Sequence, residues 1–206
     1  MVDSKGLIEE IVRKIERSQK PVVCNVSNRH VHVTEDVFRD LFGSSYPLRK
    51  LRDLRQPGEY ASKETVDVSG PKGVLKGVRI LGPLRKYTQV EVSRTDCYSL
   101  GISAPVRVSG NISGSSPVKL AGPQGEVGLK EGCIVARRHI HMTPSDADAF
   151  DLADGQMVRI QFSGGRRGIL DDVLIRVSPN YVLECHIDTD EANAFDFKSG
   201  GLIYIV

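Results

Sequence analysis

The pattern of apolar positions along the chain changes character at Pro21. Before it, in DSKGLIEEIVRKIERSQK, Leu7, Ile8, Ile11, Val12 and Ile15 recur at helical spacing, with Glu, Lys and Arg opposite. The spacing predicts one amphipathic helix, capped by Ser4 and ended by Pro21. Such a stripe either packs on the protein's own core or docks on a partner. After Pro21 the apolar runs shorten to VVCNVSN, ETVDVSG, GVRILGP, YTQVEVSR, PVRVSGN, CIVARRHIHM, QMVRIQF, DVLIRVS, YVLECHID and GLIYIV. Rich in Val and Ile and punctuated by Gly, Pro, Asn and Ser, they predict a mainly β fold of many short strands, a sandwich or barrel. Two further helices are expected, in TEDVFRDLFG and TPSDADAFDLAD, each opening on a Thr suited to the N-cap.

Each of these helices follows one of two similar octamers, SNRHVHVT and ARRHIHMT. The chain is therefore an internal repeat: strand, His-x-His, Thr-capped helix, several strands, with the second copy shorter. The octamers hold His30, His32, His139 and His141, four of the five histidines; the fifth, His186, stands in LECHIDTD. That stretch resembles QVEVSRTD of the first copy. With one gap before the shared Thr-Asp, Glu91 falls opposite His186.

In a strand, residues i and i+2 share a face, so His30 and His32 project together, as do His139 and His141. One such pair alone is more often a surface or satisfied core pair. Two copies in one frame, each with a third candidate ligand on a later strand, point to metal binding. The expected sites are His30, His32 and Glu91, and His139, His141 and His186. Donors of this kind suit zinc best, ahead of cobalt, nickel and iron. Three protein ligands leave a position open, as catalytic zinc sites do.

Composition narrows the class. A chain of 206 residues with formal net charge +2 and 26% charged residues gives no bulk attraction to nucleic acid or membrane. No apolar run reaches the length of a membrane span, and no signal-peptide pattern opens the chain. Cys24, Cys97, Cys133 and Cys185 are scattered without a C-x-x-C pair, which reads as reduced thiols of a cytosolic protein. Walker and G-x-G-x-x-G motifs are missing. A basic, Gly-rich segment, SGPKGVLKGVRILGPLRKYTQVEVSR, carries Lys72, Lys76, Arg79, Arg85 and Lys86. Most of these suit a solvated face. Arg85 differs: it follows Gly-Pro, lies six residues before Glu91, and has the planar fork that suits an oxyanion such as phosphate.

Together, CNVSNRHVHVT, GPLRKYTQVEVSRTDCYSLGISAPVRVSG and RRHIHMTPSDADAF resemble the PduL-type phosphate acyltransferases (phosphotransacylases) of bacterial microcompartments, over a span from about residue 21 to the C-terminus. The resemblance implies two small β-barrels capped by short α-helices, residues 1–28 plus 137–206 forming one domain and 29–136 the other. It implies an enzyme that converts acetyl-CoA or propanoyl-CoA and inorganic phosphate to acyl phosphate and CoA. Its implied metal ligands, for two zinc ions, are the six residues above. Arg85 is the implied phosphate ligand, and Val26, Ser27, Asn28, Lys72, Arg79 and Asn193 are the implied CoA contacts. The implied location is the bacterial cytoplasm, inside a microcompartment, with residues 1–20 serving as an encapsulation signal toward shell or cargo proteins or as a core helix. A homo-oligomer is compatible with all of this. Zinc binds thiolate well, so one ion can receive the CoA sulfur while the other and Arg85 gather phosphate. A zinc thioesterase and a non-catalytic metal-binding scaffold are the rival readings.

Overall fold

The structure, a computed structural model, describes residues 4–206. In chain order the elements are α1 (Ser4–Ser18), β1 (Pro21–Ser27), β2 (His30–His32), α2 (Glu35–Phe42), β3 (Lys50–Asp53), β4 (Tyr60–Ser69) and β5 (Val74–Gly82). There follow β6 (Gln89–Glu91), α3 (Arg94–Leu100), β7 (Val106–Arg107), β8 (Ser116–Ala121), β9 (Glu126–Ala136) and β10 (His139–Met142). Then come α4 (Pro144–Phe150), β11 (Met157–Phe162), β12 (Gly168–Val177), β13 (Glu184–Asp188), α5 (Thr189–Ala194) and β14 (Gly201–Ile205). The fold is mainly β. Among the described residues, no helix is long and apolar enough to cross a membrane.

Two compact units form, one from the chain up to Ser27 with Arg138–Val206, the other from Asn28–Arg137. In the second, β9, β6, β2, β5 and β4 lie side by side, and β8 closes the ring by pairing with both β4 and β9. In the first, β1, β13, β10, β12, β11 and β14 close in the same way. Each is a six-stranded barrel, and closure leaves no open sheet edge in the ring. Strand alternation fills each interior: Val31, Val33, Val90 and Cys133 enter one core, while Cys24, Ile140, Met142 and Cys185 enter the other. Each fully buried aliphatic side chain of this kind is worth about 1.5–3 kcal/mol.

The repeat explains why one unit is discontinuous. Cys24 stands six residues before His30, and Cys133 stands six before His139. Cys24 lies on β1, which runs parallel to β13; Cys133 lies on β9, which runs parallel to β6. The leading strand of each repeat thus completes the barrel built from the other repeat.

Several elements differ from the sequence expectations. Ser4 lies within α1 rather than capping it. The apolar stripe of α1 does not enter the core: Leu7, Ile8, Ile11, Val12 and Ile15 are 46–61% exposed. CIVARRHIHM is two strands, interrupted at Arg137 and Arg138, and YVLECHID is extended only from Glu184. Two helices were not anticipated. Ser93 and Asp96 form a capping box at α3, and Asp188 and Glu191 form one at α5. Each N-cap stands two residues after a candidate ligand. Thr34 and Thr143 cap α2 and α4 as expected.

Candidate metal centres

In the Asn28–Arg137 unit, β2 is only three residues long, and all three are buried. Val31 faces the core, so His30 and His32 share the opposite face, with ring centroids 5.0 Å apart. Antiparallel pairing sets Glu91 of β6 directly across from His30. His30 Nδ1 donates to the Asn28 carbonyl at 2.9 Å, and its Nε2 lies 3.5 Å from Glu91 Oε2. The backbone bond thereby selects which ring nitrogen faces the carboxylate. The other oxygen, Oε1, accepts from Gln89 Nε2 at 2.6 Å and from Ser109 Oγ at 2.7 Å. Burial opposes charge on both partners. Even so, Glu91 raises the His30 pKa, and His30 holds the Glu91 carboxyl far below the usual range. Burial, reinforced by His30 and Arg85, pushes the His32 pKa down to about 3, leaving a neutral imidazole. His32 Nδ1 is buried without a partner.

The other unit repeats this register. His139 and His141 share the face of β10 opposite Ile140 and Met142, and His186 of β13 lies directly across from His139. Ring centroids are 4.6 Å apart for His139–His141, 5.1 Å for His139–His186 and 5.2 Å for His141–His186. His186 Nδ1 lies 3.3 Å from His139 Nε2, and His186 Nε2 lies 3.3 Å from Glu184 Oε1. His141 stacks on Tyr181 at 4.1 Å, and both of its ring nitrogens are buried without a partner. Burial, together with His139 and His186, lowers its pKa to about 2.

In each trio, one ligand atom per residue lies within 4.8 Å of the other two. A buried polar atom with no partner costs about 1–3 kcal/mol. Each trio contains such a nitrogen on a neutral imidazole, and an ion coordinated there would remove the penalty. The residues present fit a metal ion of nitrogen and oxygen preference, zinc foremost. The structure also simplifies the alignment of the repeats. His30–Glu91 and His139–His186 are equivalent cross-strand pairs, and each third residue stands two before an N-cap, Ser93 or Asp188. No gap is needed, because the shared landmark is the capping box rather than Thr-Asp.

Arg85 follows the end of β5. Gly82 leaves room there for the Tyr60 ring, from which a Cβ would lie 2.3 Å. The Arg85 amide donates to Val33 O at 2.8 Å, tying it to the residue after His32. Its guanidinium donates to Glu59 Oε1 at 2.5 Å and to Tyr87 Oη at 3.3 Å, and remains partly accessible. Lys76 and Lys86 are exposed. Lys72 is exposed on the turn after β4, its amide donating to Leu100 O. Arg79 lies across from His30, but its guanidinium donates to the Ser62 and Lys63 carbonyls of β4. The Val26 amide donates to Ser199 Oγ, Ser27 pairs with Asp188, and Asn193 is exposed on α5. Val26, Ser27 and Asn193 fall in one unit, and Asn28, Lys72 and Arg79 in the other.

Sequence reasoning passed over Glu59, Tyr87, Gln89, Ser109, Glu184, Asn25 and Tyr181. Gln89 and Glu184 were within reach, since each stands two residues before a candidate ligand and so shares its face. The four cysteines are buried. Burial pushes the Cys133 thiol up to about 12, and a hydrogen bond with Cys24 together with burial raises that of Cys185. Neither is a ready thiolate nucleophile.

The sequence model of the family described as phosphate propanoyltransferase matches residues 23–198. A phosphate propanoyltransferase of Thermotoga maritima is 48% identical over 204 residues, covering 98% of this chain and 97% of its own. That of Salmonella typhimurium is 49% identical over 193 residues, 92% of this chain and 91% of its own. That of Listeria monocytogenes is 47% identical over 195 residues, 95% and 91% respectively. By these matches over nearly its whole length, the chain belongs to the phosphate propanoyltransferases, a family of acyltransferases.

Proposed function

We propose that the protein transfers a short acyl group, propanoyl or acetyl, from CoA to inorganic phosphate, with one zinc ion held in each unit. The observation that carries the metal part is the repeated register: two trios on equivalent strands, each with a buried, neutral and unpartnered imidazole nitrogen. His30, His32 and Glu91 would hold one ion, and His139, His141 and His186 the other. When bound, such an ion supplies a Lewis acid able to hold an oxyanion or a thiolate.

The chain's own residues supply the rest. Arg85 binds phosphate, and the Glu59 carboxylate and Tyr87 hydroxyl hold its fork in place. A phosphate oxygen attacks the thioester carbonyl; a C–O bond forms, the C–S bond breaks, and CoA leaves as the thiolate. No side-chain nucleophile is needed, in keeping with four buried cysteines. Positioning of phosphate beside the carbonyl supplies much of the rate. Val26, Ser27, Asn28, Lys72, Arg79 and Asn193 are proposed CoA contacts; all six carry polar groups through backbone or side chain. Arg79 would bind CoA with the donors left over from Ser62 and Lys63.

A location inside a bacterial microcompartment, where the reaction would recycle CoA, belongs to the same proposal. Its support is the half-exposed apolar stripe of α1, suited to docking on a shell or cargo protein. Release of CoA from propanoyl-CoA and acetyl-CoA, with and without phosphate and before and after chelation, tests the activity. Phosphate-dependent release that stops on metal removal is expected. Release without phosphate would instead mark a thioesterase.

A further inference from the structure

We propose that Glu184 is the positioning residue of the second metal site, and that the two sites carry one carboxylate each in exchanged places. This deepens the two-ion reading above and rests on it. Gln89 lies across from His32, and Glu184 lies across from His141, so the two occupy the same place in the repeated register. Each also stands two residues before the third candidate ligand, on its face of the strand.

The polarity of the contact is reversed between them. In one unit the neutral amide donates: Gln89 Nε2 reaches Glu91 Oε1 at 2.6 Å, with Ser109 Oγ beside it at 2.7 Å. In the other, the residue in Gln89's place is a carboxylate, which only accepts. Glu184 Oε1 lies 3.3 Å from His186 Nε2, so the imidazole must carry the proton there. Nδ1 is then the nitrogen with a free lone pair, and it is the one turned toward His139, 3.3 Å from Nε2. Glu184 is itself held in place. Asn25 Nδ2 donates to its Oε1, and Asn25 Oδ1 accepts from Ser199 Oγ at 2.9 Å.

The exchange has an electrostatic sense. A divalent ion in a buried site needs compensating charge nearby. The first trio contains a carboxylate, Glu91, and its neighbour is neutral. The second trio is three neutral-capable imidazoles, and its carboxylate stands directly behind the ring of His186. Carboxylates behind metal-bound histidines fix the tautomer and raise ligand basicity, and their loss costs about 10–100-fold in metal affinity.

Zinc affinity of the full chain, read by competition with a chromophoric chelator, tests the inference. Wild type is expected to bind two ions and His139→Ala one. If wild type binds none, the two-ion reading falls, and this inference with it. With two ions established, Glu184→Gln should weaken the second ion about tenfold or more and leave the first unchanged. In a His186→Glu background the sense changes, because an amide at position 184 can now donate to a carboxylate at 186, as Gln89 does to Glu91. There Glu184→Gln should strengthen the second ion or leave it unaltered. An equal loss in both backgrounds, or none beside His186, overturns the proposal while the two-ion reading stands. Should Glu184→Gln fail to fold, Asn25→Ala removes the donor that holds Glu184 without adding charge and should weaken the second ion alone. An unchanged second ion in that variant counts against the inference.

Discussion

At the scale of residues, the phosphate role proposed for Arg85 is what would separate a phosphate-using enzyme from a metal hydrolase. Arg85→Lys keeps the charge but loses the planar fork that Glu59 and Tyr87 hold. If the phosphate contact is made in the transition state, the exchange should cost about 3 kcal/mol, roughly a hundredfold in kcat/KM for phosphate. Metal content should stay unchanged, and KM for acyl-CoA should move little. Steady-state kinetics with phosphate varied at saturating acyl-CoA checks this; identical phosphate dependence in both enzymes would place the phosphate site elsewhere. Cys133 makes a separate prediction about pH. Its thiol is fully buried and pushed up to about 12, so the folded state favours the protonated form. Its contribution to stability is complete below the ordinary thiol range, then falls as pH rises from about 9 toward 12, by up to about 1.4 kcal/mol per pH unit. Urea midpoints at pH 8, 9 and 10 should therefore fall more steeply for wild type than for Cys133→Ala. Parallel declines would show that another group titrates.

At the scale of elements, what could be read from sequence depended on length and on repetition. α1 has 15 residues, enough for its period to be plain. α3 and α5 have seven and six, too short for one, and their only signals were Ser93 with Asp96 and Asp188 with Glu191. β3, with the sequence KLRD, is exposed throughout and carries no alternation to read. What the period of α1 could not decide was its partner, since core-facing and docking stripes look alike in sequence. The exposed stripe favours docking, and the Arg13–Asp151 ion pair that links α1 to its unit is itself exposed and worth little. Deleting residues 4–18 should leave solution activity nearly intact and abolish recruitment to a compartment, measured by co-purification with shells. Insoluble protein on deletion would instead show that α1 is needed for the fold and overturn the docking reading. Thr143→Ala should cost about 1 kcal/mol, because the Thr143 hydroxyl accepts from the Asp146 amide at the start of α4.

At the scale of the whole molecule, the candidate trios were legible because the histidines repeat, whereas the exchange of leading strands came only from the family resemblance, which placed residues 1–28 with 137–206, and not from the strands themselves. VVCNV and CIVA read as ordinary strands, and nothing in their composition says which barrel each completes. That assignment depends on long-range pairing, β1 with β13 and β14, and β9 with β6 and β8. It makes a testable claim about fragments. Residues 28–137 contain all six strands of one barrel, its buried core, and His30, His32 and Glu91. A chain of this length can bury enough surface to fold alone. The fragment should unfold cooperatively and bind one zinc ion. Residues 138–206 lack β1, so β13 and β14 each lose a neighbour and the ring stays open, with Val22 and Cys24 missing from the core. Losing two buried side chains and two strand pairings exceeds the margin of a small domain. That fragment should remain unfolded by circular dichroism and recover structure when residues 21–27 are restored through a linker after Val206. A folded 138–206 fragment, or an unfolded 28–137 fragment with zinc present, would show that the barrels do not depend on their borrowed strands in this way.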